Sequence, residues 1–525
     1  MLIEESQLQN QLIEVDVHNS LLRFLRSHSE PHWPHHLTMA RLVARALRLG
    51  RSALIQTGLP AGAHQQRYRV SYLMPILMWP EPVILVAPPR AIEHLKAVEI
   101  PRLQEWLETD RPLAKPSKRI ATKDQNTDFS GLMLVDPQSW LASHLGSDAQ
   151  PQIQIPTIID GVDDLEVWTR QQLTVCLHPG DWNDLMLAVP SQADAILQRR
   201  VLLTRACFQH PAKPDECYLL ETAEQNILEG LFEKINQSSI ESSSRIPAAW
   251  SKFWHRWESN GKLRWAQINR EAGSFSLYCA PVQVAEVLGK IWQDRPVVLI
   301  GGALDLEPKA PIFREMVGLP ELTTVKFSPD RQSELIQLYI PDGLPLPNTP
   351  EFQGVLIQEI RTLLCMSLSV AGLTVLIVGD VPLKARMAAR LASEFGSRVR
   401  VETTDVGENG ILVTGWEFWR EYQGELSAPH LLAIATLPLP SMENPLVMAR
   451  VAYYKERRQD WFRLYLLPAA LNELQRAIAP VRERQGVVAI FDNRVIYRSY
   501  GQQILAAMSP FARIDYLDTT WLTQA

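Results

Sequence analysis

Residues Ile411-Leu412-Val413-Thr414-Gly415, followed by Phe418-Trp419, open the stretch that decides the fold. A second apolar run, Leu431 to Thr436, ends in Leu437-Pro438-Leu439-Pro440, with Pro445-Leu446 beyond it. Phe462, Tyr465 and Leu467-Pro468 then lead into a helical pattern through Leu474. A third run, Gly486 to Phe491, closes with Asp492-Asn493-Arg494, and Tyr500-Gly501 follow. Short apolar runs bounded by Gly and Pro read as buried parallel strands, because both faces are covered and the period-2 alternation disappears. The helical segments between them supply the crossovers that parallel strands require. The stretch is therefore α/β.

Outward from it the same pattern recurs. Leu373 to Val378, Pro296 to Ile300, Thr157 to Asp160, Pro82 to Ala87 and Ala53 to Gln56 are all short apolar runs next to helical periodicity. The chain has 525 residues, enough for several domains, with 46% hydrophobic and 21% charged residues. The net charge of −6 gives no global attraction to nucleic acid, so any such site must be a local basic patch. Residues 450–498 hold ten Lys/Arg against five Asp/Glu and suit a phosphate-facing surface. Five cysteines without a C-x-x-C pair argue against a disulfide framework or a zinc knuckle. The acidic, polar start at Met1 to Asn10 does not read as a signal peptide. The most apolar stretch, Tyr72 to Val86, is interrupted by Pro75, Pro80, Glu81 and Pro82, which argues against a membrane span. The expectation is a cytoplasmic protein that makes no membrane contact.

The order and spacing from Ile411 to Gly501 resemble the C-terminal motor domain of DinG-type helicases, bacterial relatives of the XPD group in superfamily 2. The resemblance implies two RecA-like parallel-sheet motor domains with a mostly helical insertion. The implied boundaries are an N-terminal helix in 1–32, the first motor domain in 33–163, an arch-like insertion in 164–290, a return to the first domain in 291–340 and the second motor domain in 341–525. Trp250, Trp254, Trp257 and Trp265 stand at near-helical spacing in the insertion and read as one buried stripe.

The resemblance also implies ATP and Mg²⁺, yet the chemical positions have thinned. His35 and His36 stand where the family has paired glutamines at the nucleotide. The loop from Gly58 to Gly62 stands where a phosphate-cradling loop belongs, but the chain's first lysine is Lys96. Asp160 occupies the place of the metal-binding aspartate, and Gly161 replaces the glutamate that orients the attacking water. Gly301-Gly302-Ala303 replaces the hydroxyl-bearing motif that couples the two sites. Arg482 is the expected finger arginine, although Pro480 lies inside its helix. With no cysteine between Arg90 and Asp160, an iron–sulfur cluster is excluded there. Arg90, Arg450, Arg457, Arg458 and Arg498 are the expected nucleic-acid contacts. Phosphoryl transfer is nearly all positioning and electrostatics, so losses at this many positions should remove turnover. The expectation is a DinG-like helicase-fold protein that binds nucleic acid, single-stranded or forked DNA above all, with ATP hydrolysis weakened or lost. The alternatives are an active ATP-dependent DNA helicase with divergent motifs, and a structural subunit that meets protein partners in a repair or replication complex.

Overall fold

A computed structural model describes residues 12–28, 33–58, 68–110, 120–121, 131–145, 155–241, 246–259, 261–329, 334–367 and 370–514. The first sheet contains β1 (Ala53–Gln56), β2 (Val83–Val86), β3 (Ile120–Ala121), β4 (Leu132–Val135) and β5 (Thr157–Asp160). The chain then leaves for an insertion with β6 (Val175–Leu177), β7 (Cys217–Leu219), β8 (Lys262–Asn269) and β9 (Ser274–Pro281). It returns with β10 (Val297–Gly301) and β11 (Thr323–Lys326), giving the order β11-β1-β10-β5-β2-β4-β3, all parallel. β10 inserts between β1 and β5 with Ala53 opposite Val298 and Thr157 opposite Val297.

The strands of this sheet lack alternation because helices cover both faces. On one side Ile13–Ser27, His36–Leu49 and Arg69–Met78 bury Val17, Leu21, Phe24, Val43 and Tyr72. On the other, Pro137–Leu145, Leu165–Leu173 and Ala285–Asp294 bury Trp140, Leu165 and Leu288.

The second sheet is again all parallel. It comprises β12 (Ile336–Tyr339), β13 (Thr374–Ile377), β14 (Val399–Val401), β15 (Ile411–Thr414), β16 (Leu431–Ile434), β17 (Val487–Ile490) and β18 (Phe511–Ile514), in the order β14-β15-β13-β16-β17-β12-β18. The three strands read from the opening stretch are β15, β16 and β17, with β13 between the first two. The fold is α/β with two RecA-like parallel sheets.

Two expectations are corrected. β12 pairs with β17 and β18, so the second sheet already includes residue 336 and does not begin at 341. Within the mostly helical insertion stands an antiparallel sheet in the order β6-β9-β8-β7, packed on helices around Trp182, Trp250, Phe253 and Trp257. Trp265 leaves the expected helical stripe, lies on β8 and stacks on Tyr278 of β9 at 5.2 Å. The long alternating strands β8 and β9 carry the period-2 pattern that a helical reading of this segment passes over.

Candidate functional site

The segments leaving β2, β5 and β10 meet the second domain, and the chemistry-bearing residues gather there. Asp160 closes β5 with its side chain 2% exposed. One carboxylate oxygen accepts from the Tyr68 hydroxyl at 2.9 Å, and the other from the Tyr72 hydroxyl at 2.8 Å. Arg69 Nε stands 3.5 Å from the second oxygen. Helix Arg69–Met78 supplies both Tyr72 and Arg69, with Tyr68 as its N-cap residue, so three side chains converge on one carboxylate from one turn. Burial, reinforced by the Asp160 charge, holds both phenols well above their ordinary pKa range, and they remain donors at neutral pH. A buried carboxylate is tolerated only when paired and hydrogen-bonded, and this one is both.

The acidic run that follows divides among three elements. Asp163 accepts from the amides of Gly302, at 2.9 Å and 3.1 Å, and Ala303, at 3.0 Å, and so ties the end of β5 to the end of β10. Asp164 receives a two-pronged pair from Arg476, at 2.9 Å and 3.2 Å, on helix Leu467–Glu483 of the second domain. Glu166 is bound by Arg170 on its own helix and by Arg450, at 2.7 Å, on helix Pro445–Glu456 of the second domain. The guanidinium of Arg450 also lies 3.8 Å from the centroid of the Tyr465 ring. Burial alone would raise the Glu166 pKa, but Arg450 and Arg170 outweigh it and bring it to about 2. The end of β1 is covered too. Gln56 donates to the carbonyl of Glu307 and accepts from the amide of Asp305, and Lys326 donates to the carbonyls of Asp305 and Leu306.

Comparison with known proteins shows what this arrangement is similar to. The Helicase C-terminal domain family matches residues 424–511. The ATP-dependent DNA helicase YoaA of Haemophilus influenzae is 24% identical over 315 residues, which cover 57% of this chain and 47% of that protein. The YoaA helicase of Escherichia coli K12 is 32% identical over 108 residues, 20% of this chain and 17% of that protein. The matches thus span less than half the length of these curated relatives. An XPD helicase structure is similar with a TM-score of 0.56 at 11% identity, covering 92% of this chain and 100% of that one. The Xpd4 structure from S. tokodaii is similar at the same TM-score and 12% identity, again covering 92% and 100%. The chain is similar to DinG/XPD-type superfamily 2 helicases in its matched segments and in its fold.

Against that family, the places that handle nucleotide look different here. Gly161, in the glutamate's place, has φ +81° and donates to the carbonyl of Ile300. This left-handed conformation favours glycine over any residue that bears a Cβ. Gly58 also has a positive φ, +75°, and a Cβ there would meet the carbonyl oxygen of Phe327 at 3.0 Å. Gly62 lies outside the described residues. His35 stacks on Phe327 at 4.7 Å and lies within hydrogen-bond distance of the Ser328 carbonyl at 3.2 Å. His36 is buried, 2.8 Å from the Ser71 hydroxyl. These residues do not fit Mg²⁺-ATP. Both oxygens of the would-be metal ligand Asp160 are engaged, the Lys326 ammonium is held by carbonyls, and the chain's sequence offers no lysine before Lys96. Among the described residues no group of three or more His, Cys, Asp or Glu is arranged to hold a metal ion. No helix among them is long and apolar enough to cross a membrane.

Three of the expected arginines take other roles. Arg482 is no finger: it is buried, and its guanidinium donates to the carbonyls of Glu334, Met508, Ser509 and Pro510. Burial lowers its pKa to about 10. The helix runs on through Pro480, and the arginine it offers across the cleft is Arg476, six residues earlier. Arg450 is no surface phosphate contact, since its side chain is 12% exposed and committed to Glu166. Arg90 is 65% exposed, but it pairs with Glu425 at 3.0 Å and donates to the carbonyl of Glu421 in the second domain. Arg457, Arg458 and Arg498 are exposed, with Arg457 lying over the Tyr453 ring. Sequence reasoning missed Arg476 and the pairing role of Glu166. Arg476 lies 312 residues from Asp164, and no local pattern joins the two.

Proposed function

We propose that this chain is a helicase-fold protein that binds single-stranded nucleic acid and has lost most or all ATP hydrolysis. The observation that carries the reading is the Asp160 carboxylate, held by the hydroxyls of Tyr68 and Tyr72 and faced by Arg69. Each oxygen accepts one hydrogen bond and keeps a lone pair, but the carboxylate is 2% exposed and faced by the Arg69 guanidinium, a poor place for a hydrated Mg²⁺. The water-orienting carboxylate is absent at Gly161, and no lysine stands in the preceding loop to offset phosphate charge. DNA is the proposed ligand because the YoaA relatives are named as DNA helicases. The exposed Arg457, Arg458 and Arg498 offer it phosphate contacts. A place in DNA repair or replication, in the cytoplasm, belongs to the same proposal.

The test is steady-state ATP hydrolysis by the purified chain, with and without single-stranded DNA, beside direct binding of a labelled oligonucleotide. The expected result is binding without hydrolysis above the buffer rate. DNA-stimulated turnover of about one per second or faster, ordinary for an enzyme, would sink the proposal and favour a divergent active helicase. Absent binding at low salt would favour a purely structural subunit.

A further inference from the structure

We infer that the two RecA-like domains are clamped shut by the chain's own side chains, so that their closure does not wait for a nucleotide. The inference rests on the reading above only in treating the cleft as one that nucleotide does not control. Two acidic residues at the start of one short helix, Asp164 and Glu166, reach two different helices of the second domain through Arg476 and Arg450. Side chains of Arg476, Arg450 and Glu166 are 8%, 12% and 10% exposed, so three of the four charges are nearly out of water. Separating the domains would leave Arg170 as the partner of Glu166, and would strip Arg450 and Arg476 of their carboxylates. Losing one partner of a buried pair is strongly unfavourable until water reaches the other.

Further contacts set the same geometry from different directions. Arg90, after β2, holds Glu425 and the Glu421 carbonyl. Tyr453, on the helix that carries Arg450, donates to Gln283 next to the insertion, and its ring lies against Gly261. Leu306, in the loop after β10, packs into the apolar core of the second domain. The second domain is therefore attached at the ends of β2, β5 and β10 and at the insertion. A ligand shifts a two-state equilibrium only through differential contacts with the two states. Here the contacts that bridge the cleft are made by protein groups in both partners, so a nucleotide has little left to change. The consequence is a static grip on whatever strand crosses the two sheets, in place of a nucleotide-driven cycle.

The test is a distance distribution by pulsed electron resonance on the full chain. Spin labels are placed on the exposed native Cys365 of the second domain and on Glu105→Cys in the first, with the half-buried Cys176 changed to Ser. The unmutated clamp should give one narrow distance that is the same alone, with a non-hydrolysable ATP analogue and Mg²⁺, and with a single-stranded oligonucleotide. Asp164→Asn with Glu166→Gln preserves shape and removes both negative charges, and should broaden the distribution toward longer distances. Arg450→Lys with Arg476→Lys, which keeps charge but loses the planar fork, should broaden it less. Circular dichroism confirms that each variant is folded, and the lysine pair stands in if the neutral pair is not. A broad distribution in the unmutated clamp, or a shift on adding the analogue, would overturn the inference. So would a narrow, unchanged distribution in the neutral pair. Hydrolysis of ATP with an unchanging distance would defeat the functional reading alone. A nucleotide-shifted distance without hydrolysis would defeat the clamp alone.

Discussion

Replacing Tyr72 by Phe removes one hydroxyl from the Asp160 carboxylate and tests whether that carboxylate is held. The Tyr72 hydroxyl donates over 2.8 Å and the Tyr68 hydroxyl over 2.9 Å, and all three residues lie in the interior. A hydrogen bond to a charged group contributes about 1.5–3 kcal/mol, and a buried oxygen stripped of its donor has no water to replace it. Tyr72→Phe should therefore lower the stability of the first domain by about 1.5–3 kcal/mol, or roughly 3–12 °C in its thermal midpoint. In an Asp160→Asn background the acceptor is neutral, and the same deletion should remove only about 0.5–1.5 kcal/mol. The double-mutant cycle should then show a coupling of about 1–2 kcal/mol. Both phenols are kept protonated by burial, so the result should hold throughout the neutral range. Scanning calorimetry and circular dichroism measure it. A loss below about 0.5 kcal/mol, the scatter of an ordinary surface change, would refute the reasoning. Equal losses in the two backgrounds would do the same, because Asp160 would then have an oxygen to offer a metal.

Gly161→Glu should not restore hydrolysis, and should destabilise the chain by about 1–3 kcal/mol, because φ +81° is a strained conformation for any residue with a Cβ. Melting and ATPase measurements on one preparation check both halves. The Glu166 carboxyl is depressed from 4.5 to about 2, so its contribution is fully present above about pH 4.5 and is lost as pH falls through about 2. Small-angle scattering across an acid titration should thus find the domains still closed near pH 4 by this pair; opening that is complete by then would assign closure elsewhere. Arg457→Ala, Arg458→Ala and Arg498→Ala should each lower the slope of log affinity against log salt by about one unit, whereas the buried Arg450 should not behave as a phosphate contact. Oligonucleotide anisotropy over a salt series decides it, and three unchanged slopes would remove these residues from the interface.

The scaffold was legible because its signals are local. Ile411–Thr414, Leu431–Ile434 and Val487–Ile490 are apolar on both faces and bounded by turn residues, so each announces a buried parallel strand without any distant partner. β10 was equally plain, and its placement between β1 and β5 matches the return to the first sheet. Legibility failed where two patterns overlapped. Trp265 continues the near-helical spacing of Trp250, Trp254 and Trp257, yet the alternation of residues 262–281 is that of a hairpin. The strand Ile336–Tyr339 sits just before a Pro-rich entry, and a strand's own residues do not say which neighbour it pairs with.

The site was half legible, and the division follows the physics. Which groups were missing could be read directly: a lysine before Lys96, or a carboxylate at Gly161, is either present or not. What had replaced them could not. Asp160 looked available from sequence because an aspartate at the end of an apolar strand, before a glycine, has no visible partner. Its partners are Tyr68 and Tyr72, which are 92 and 88 residues away. Asp163, Asp164 and Glu166 stand at a helix N-terminus, and the structure gives each its own donors there. Each carboxylate meets its own donor on a separate element, two of them in the other domain. Charges that a helicase cleft would turn toward nucleotide and metal are here turned toward each other. Such pairing keeps a buried cleft neutral, since an unpaired buried charge is costly. On the function proposed above, a chain given lysine and glutamate alone would add charges to a cleft whose existing ones are already paired. Recovery of turnover should therefore require release of Asp160 and of the two interdomain arginines as well.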